Sequence, residues 1–117
     1  MSASSTYLPF TLAAAVAPYM ALKSDGSGGV VPTTDGDDRV ICFADSSGGE
    51  AGIDRGYPVD GHLHAIAGGA IPKDAEGMPA AGGKIVAYVD NGTNVPCGYA
   101  IEEARVDGQE FRFYKYS

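Results

Sequence analysis

The sequence predicts a small all-β protein, a single-domain sandwich or barrel of short strands joined by turns rich in glycine and proline. Its 117 residues are close to the common size of one domain. They include 17 glycines, roughly twice the usual frequency of about 7%, and 7 prolines. The longest stretch free of both is Asp37–Ser47, "DDRVICFADSS". A stable helix usually needs at least that length, and the β-branched and aromatic centre of this stretch favours a strand.

Turn residues divide the chain into short segments. "KSDGSGGVVP" and "TTDGDDRV" bracket a predicted strand at Val30 and Val31. Asn91 and Gly92, between two apolar runs, predict a tight hairpin because both residues tolerate positive φ. The segment "AIPKDAEGMPAAGGKI" is predicted to be a long loop, since it is too polar and glycine-rich for a core. For "AIEEARV" one or two helical turns stay open as an alternative to a strand.

The chain divides into an N-terminal arm with a first strand, residues 1–19, and a β-rich domain, residues 20–117. Tyr7, Leu8 and Phe10 are apolar although they precede the recognisable domain, and Pro9 favours an extended chain around it. An extended arm of this kind adds a strand to the exposed sheet edge of a partner. We therefore predict that these four residues form part of an interface.

The last residues of the sequence, "EFRFYKYS", are rich in aromatic side chains. On a strand, Phe111 and Phe113 face one side, so a place in the core and a place in an interface are both open to them. Tyr114 and Tyr116 are then expected to face a neighbouring molecule, because interfaces are enriched in such residues. Tyr114 and Tyr116 complete the set of predicted interface residues.

Charge and apolar patterning exclude two classes of partner. The net charge of −7 and the pI of about 4.5 give an acidic surface that repels phosphate, so no nucleic-acid partner is expected. No lysine or arginine precedes Lys23, and a secretory signal would need a charged start. The apolar run from Leu12 to Leu22 is interrupted by Pro18 and is too short to cross a membrane. We expect no membrane partner and synthesis in the cytoplasm.

No complete set of catalytic or metal-binding residues is recognisable. His62 and His64 would share one strand face with Asp60, but no further ligand is identifiable, so no metal is predicted. The acidic segment "TTDGDDRV" lacks the glycine and glutamate positions of a calcium loop, and the glycines of "DGSGGVV" do not open a helix. Cys42 and Cys97 are expected to be free, buried thiols. We predict a protein that is not an enzyme and has no cofactor.

The order of four segments from Met20 onward resembles the small capsid decoration, or cement, proteins of tailed bacteriophages. The segments are "MALKSDGSGGVVPTTDGDDRVICFAD", "GYPVDGHLHAIAGGAI", "AAGGKIVAYVDNGT" and "CGYAIEEARVDGQEFRFYKYS". The matching positions are Gly82, Gly83, Asn91, Gly92, Gly98, Ala100 and Gly108. The insert "DSSGGEAGIDRGYP" and Cys42, where a glycine is usual, depart from the pattern.

The resemblance implies a non-enzymatic protein that binds the exterior of the phage head and stabilises it against internal DNA pressure. Its implied partners are the major capsid protein and further copies of itself, as a homotrimer. Its implied location is the outer surface of the capsid in the virion, after synthesis in the host cytoplasm. The alternative is a small carbohydrate- or surface-binding β-module of a virion or cell surface, although the chain lacks the tryptophan that such modules often use.

Overall fold

The computed structural model describes residues 6–117 and contains ten strands in two sheets. The strands are β1 (Tyr7–Leu12), β2 (Ala21–Ser24), β3 (Gly29–Pro32), β4 (Cys42–Phe43), β5 (Asp54–Pro58), β6 (Gly61–Ile66), β7 (Glu76–Pro79), β8 (Ile85–Ala87), β9 (Gly98–Ala100) and β10 (Glu110–Lys115). The helical structure in this part of the chain is one 3₁₀ turn, Ala81–Gly83. The predicted all-β class is therefore confirmed, and no helix within residues 6–117 has the length and apolar character to cross a bilayer.

The first sheet has the strand order β4-β2-β3-β1-β5 and curls upon itself. Its two edge strands, β4 and β5, lie against each other. The curled sheet encloses a core that includes Leu12, Leu22, Cys42 and Tyr57, all fully buried. The Tyr57 hydroxyl donates a 2.7 Å hydrogen bond to the carbonyl of Gly48, which satisfies the one polar atom of that buried side chain. The first sheet therefore resembles the barrel that the sequence analysis left open as an alternative to a sandwich.

The second sheet has the order β6-β10-β9-β7-β8 and is antiparallel throughout. It packs on the first sheet through a second core, in which the rings of Phe43 and Phe113 lie 5.9 Å apart. Phe111 is equally buried and contacts Phe113 edge-on. The alternation of β10 thus places both phenylalanines in the core and resolves the choice that the sequence left open.

Strand β7 corrects the prediction of a long loop over residues 70–85. This short strand is an interior member of the second sheet, paired with both β8 and β9. The sequence of this segment is rich in glycine, which is why it was predicted to lie outside the core. Gly77 nevertheless lies in the core, where a side chain at its position would overlap its neighbours. A Cβ atom on Gly77 would lie 2.6 Å from Ile85 and 2.9 Å from Phe113. The glycine therefore makes room for a ring supplied from a distant part of the sequence.

The predicted hairpin at Asn91 and Gly92 is wrong, although the turn itself is present. The Asn91 side-chain oxygen accepts hydrogen bonds from the backbone N–H groups of Thr93 and Asn94, and Gly92 has φ of 88°. However, β8 ends before this turn and pairs with β7, while β9 pairs with β7 and β10. The Asx turn shapes a loop between strands that are not neighbours.

Within the predicted segment of arm and first strand, residues 1–19, the structure describes a strand that pairs inside this chain. The extended segment Tyr7–Leu12 is β1, an interior strand of the first sheet, and residues 1–5 lie outside the described part of the chain. It pairs with β5 from Tyr7 opposite Pro58 to Thr11 opposite Asp54. A truncation through this segment would remove part of the sheet, because its edge strand β5 pairs with β1.

One edge of β1 is only partly covered, and proline protects the rest. The backbone N–H of Leu12 donates a hydrogen bond to the Ile53 carbonyl on the β5 side, and the N–H of Ala13 donates one to the Val30 carbonyl on the β3 side. Backbone groups alternate along a strand, so those of Pro9 face the β3 side. There β3 pairs only with the last two residues of β1. Because proline has no N–H to offer, Pro9 disfavours the addition of a foreign strand at this open edge.

Candidate functional site: an apolar groove and an outer row

A groove of about 950 Å³ opens at one end of the molecule, where both cores reach the surface. Phe10 and Ile41 pack against the core of the curled sheet, and Cys97 packs against the core between the sheets. Leu8 and Tyr116, from opposite ends of the chain, also line it. We call this site the groove.

Three exposed apolar side chains lie on the rim of the groove, beside its charged groups. Leu8 is 48% exposed, Val95 is 54% exposed and Tyr116 is 38% exposed. They are three of the seven large hydrophobic side chains that are exposed among residues 6–117. Apolar side chains scattered singly over a surface need no explanation, but a group of them around one depression is typical of an interaction site.

Lys115 lies at the floor of the groove. It follows Phe111 and Phe113 in the inward alternation of β10, and only 7% of it is exposed. Its Nζ donates a 2.9 Å hydrogen bond to the carbonyl of Tyr116. Burial lowers the pKa of Lys115, and the nearby Cys97 acts in the opposite direction. Within the described residues its ammonium group forms no ion pair with a carboxylate.

Of the acidic groups that line the groove, Asp60 attracts the Lys115 ammonium group from beyond ion-pair distance, and Asp38 is engaged with other partners. Asp38 accepts hydrogen bonds from the Thr34 and Asp35 backbone N–H groups, at 2.7 and 2.9 Å, and pairs with Lys23 at 3.3 Å. Burial alone would raise the pKa of Asp38, but these donors lower it overall. Asp60 accepts a 3.1 Å hydrogen bond from the backbone N–H of Thr6. Asp38 thus stabilises the loop that contains Thr34 and Asp35, and Asp60 stabilises the start of β1.

A second feature is a row of side chains across the outer face of the second sheet. His62, Tyr114, Tyr99 and Glu76 are successive cross-strand neighbours on β6, β10, β9 and β7, and we call them the outer row. The Tyr99 and Tyr114 rings stack with centroids 5.3 Å apart, and the His62 ring meets Tyr114 edge-on. The Tyr116 hydroxyl donates a 2.9 Å hydrogen bond to Glu76, so Tyr116 connects the outer row to the groove.

The six predicted interface residues fall in three places. Leu8, Phe10 and Tyr116 line the groove together. Tyr114 is half-buried at the centre of the outer row. Tyr7 and Pro9 are exposed, but the alternation of β1 directs them to the opposite face from Leu8 and Phe10.

Lys115 and Val95 are among the groove residues that were not predicted from the sequence. Lys115 was detectable, because the alternation that places Phe111 and Phe113 in the core also directs Lys115 inward. Val95 carried no usable signal, since it lies in an irregular loop whose position depends on long-range contacts such as its hydrogen bond to the Gly36 carbonyl.

The histidines and cysteines have separate surroundings. His64 is exposed, and its Nδ1 lies 2.6 Å from Glu110. No three histidine, cysteine, aspartate or glutamate side chains between residues 6 and 117 are grouped so that they could hold a metal ion. Cys42 and Cys97 are free thiols; Cys42 is buried as predicted, whereas Cys97 is only half-buried at the groove. Burial raises the pKa of each thiol to about 12.

Comparison with known proteins gives a likeness to a solved structure. No protein-family model matches the sequence. No curated protein is significantly similar to it. Among solved structures, the head fiber gp8.5 N base of bacteriophage phi29 is similar, with a TM-score of 0.73 and 19% sequence identity. The alignment covers 97% of this chain and 95% of that chain. The chain thus shares its fold, over nearly its whole length, with a protein of a phage head.

Proposed function

We propose that this protein is a non-enzymatic structural component of a phage head that binds the exterior of the capsid. The observation that carries the proposal is the shared fold, which extends over almost the full length of both chains. It agrees with the independent resemblance of the sequence to capsid decoration proteins. A likeness at 19% identity concerns the fold, so the binding role itself is our inference.

We assign the capsid contact to the groove. The groove presents exposed apolar side chains around a depression, the arrangement that a partner's side chains fill in a stable interface. The proposed partner is the major capsid protein, and the proposed role is that of a cement that stabilises the shell against the pressure of packaged DNA. In this proposal the chain is made in the host cytoplasm and resides on the outer surface of the virion.

We assign self-association, as a homotrimer, to the outer row with Tyr114 at its centre. Tyrosine is enriched in protein interfaces, and the row is a ready aromatic surface. A carbohydrate-binding module is the less supported alternative. The Tyr99 and Tyr114 rings stack on each other at an interplanar angle of 23°, so they cover each other's faces and do not present both faces for a sugar.

The test is cosedimentation with heads of the encoding phage that have been purified without this protein. Val95→Asp places a charge on the groove rim and should abolish binding. Val106→Asp is the matched control, because Val106 is 61% exposed and lies outside the groove. Both variants should keep the circular dichroism and melting temperature of the wild type, since exposed positions tolerate substitution. Equal binding by both variants would contradict the assignment to the groove, and no binding by the wild type would contradict the function.

A further inference from the structure

We propose that the groove binds an extended apolar segment of a partner protein that carries a single carboxylate, and that this carboxylate pairs with Lys115. The inference rests on the proposed function for the identity of the partner, a protein of the capsid shell.

The cationic part of this chemistry follows from the position of Lys115. A charge taken out of water is costly unless an opposite charge or a full set of hydrogen bonds compensates it. Lys115 is nine-tenths buried, forms no ion pair within residues 6–117, and uses one donor on the carbonyl of Tyr116. An ammonium group has three donors. Donors therefore remain at the floor of the groove for an acceptor that comes from outside.

The charge of the rim selects a carboxylate over a phosphate. Asp37, Asp38 and Asp60 line the same groove, and the whole chain has a net charge of −7. A multiply charged phosphate would meet repulsion from these groups before it reached the buried cation. A single carboxylate carries less negative charge and therefore meets less repulsion from these aspartates. Arg39 also lines the groove, and its charge helps to lower the pKa of Lys115, so it adds a second positive charge that attracts a carboxylate.

The shape and walls of the groove select a peptide segment. Its volume of about 950 Å³ is at the upper end of the range of roughly 300–1,000 Å³ that is usual for ligand pockets. Exposed Leu8 and Val95 offer apolar contacts along the rim, and Phe10 offers a deeper one. Because Pro9 disfavours strand addition at the neighbouring edge of β1, we infer that the segment is held by side-chain contacts and by Lys115.

The first test needs no partner and measures the stability of Lys115→Met. Methionine has a similar length and no charge, so it should remove the cost of a buried ammonium group that has one hydrogen bond and no ion pair within residues 6–117, and should raise the melting temperature. Lys73→Met is the matched control, because Lys73 is exposed and lies outside the groove; it should leave the melting temperature unchanged. A clear decrease in the melting temperature of Lys115→Met would show that Lys115 has a structural role, and would overturn the proposal.

The second test measures recognition directly, with the full chain as bait for a displayed library of random dodecapeptides. Selected peptides should be apolar with one aspartate, glutamate or terminal carboxylate. Their binding should weaken at least tenfold in Lys115→Met and in peptides whose carboxylate is replaced by an amide. Lys115→Arg should retain part of the affinity. Basic or phosphate-dependent selected peptides, or equal binding to Lys115→Met, would overturn the proposal.

Cosedimentation with undecorated heads separates the two proposals. If the wild type binds the heads and Lys115→Met binds them equally, the carboxylate inference fails while the proposed function stands. If the wild type does not bind the heads but selects carboxylate peptides that require Lys115, the groove chemistry stands and the proposed function fails.

Discussion

Single side chains in this protein are best understood from the face of the strand on which they lie. Lys115 and Cys42 are both inward residues, and each is a titratable group placed where an apolar side chain would be ordinary. Burial works in opposite directions on them, because it disfavours the charged form: it lowers the pKa of Lys115 and raises the pKa of Cys42. Burial thus favours the neutral form of both groups, the amine of Lys115 and the thiol of Cys42.

Cys42 leads to a prediction about alkaline pH. Its pKa is raised by burial from 9.0 to about 12, so the unfolded chain loses the thiol proton first. The contribution of the protonated thiol to the free energy of unfolding is fully present below pH 9. It is lost as the pH rises from there through the pKa of about 12 in the folded protein. Linkage gives a loss of about 1.4 kcal/mol per pH unit from one such group. Urea unfolding between about pH 8 and about pH 10.5 should therefore show a shallower decline for Cys42→Ala than for the wild type.

The wild type and Cys42→Ala should differ in the slope of the free energy of unfolding against pH. Cys42→Ala should also be less stable at neutral pH, because the substitution leaves a small cavity. Tyr57, whose pKa burial also raises, contributes a decline to both proteins equally. Parallel pH curves for the wild type and Cys42→Ala would contradict the assigned environment of the thiol.

Individual elements show what the sequence predicts and what it does not. The strand at Val30 and Val31 and the inward face of β10 follow from local patterns, and the structure contains both. The role of β1 does not, because its pairing with β5 joins Tyr7 to Pro58, far away in the sequence. Strand β7 was predicted to be a loop for the same reason, because its place in the sheet depends on residues that are distant in the sequence. Gly77 is read locally as a turn residue, and only the distant Phe113 explains it. The groove likewise needs tertiary structure, since its residues come from both ends of the chain.

Glycines on strands provide a test at the scale of elements. A Cβ atom on Gly98 of β9 would collide with the carbonyl oxygen of Tyr114 on β10 and lie 2.6 Å from the Phe113 ring. Gly98→Ala should therefore force the two strands apart and lower the free energy of unfolding by about 1–3 kcal/mol. Gly56→Ala on the edge strand β5 is the control, because a Cβ atom there meets nothing within 4 Å.

Denaturant unfolding of the two glycine variants is the measurement. The stability of Gly56→Ala should stay within about 0.5 kcal/mol of the wild type, as is usual at unconstrained surface positions. Similar effects of the two substitutions would show that the packing of β9 against β10 is looser than the structure indicates.

On the scale of the whole molecule, the fold separates two surfaces that have different chemistry. The groove collects apolar rim residues around a buried cation, while the outer row presents stacked tyrosines on the far sheet. Tyr116 contacts both surfaces, through its position at the groove and its hydrogen bond to Glu76. A protein with two such surfaces is suited to bind a shell through one and its own copies through the other. The acidic net charge opposes contact with nucleic acid.

Electron cryomicroscopy of phage heads incubated with the purified chain would show whether this protein binds the exterior of the capsid. We predict density for the two-sheet domain on the outer surface of the shell, at positions that repeat with the capsid lattice. The copies should be grouped in threes, and the groove rim at Leu8 and Val95 should face the shell. Bare heads, density on the inner surface, or attachment through the end opposite the groove would contradict the account.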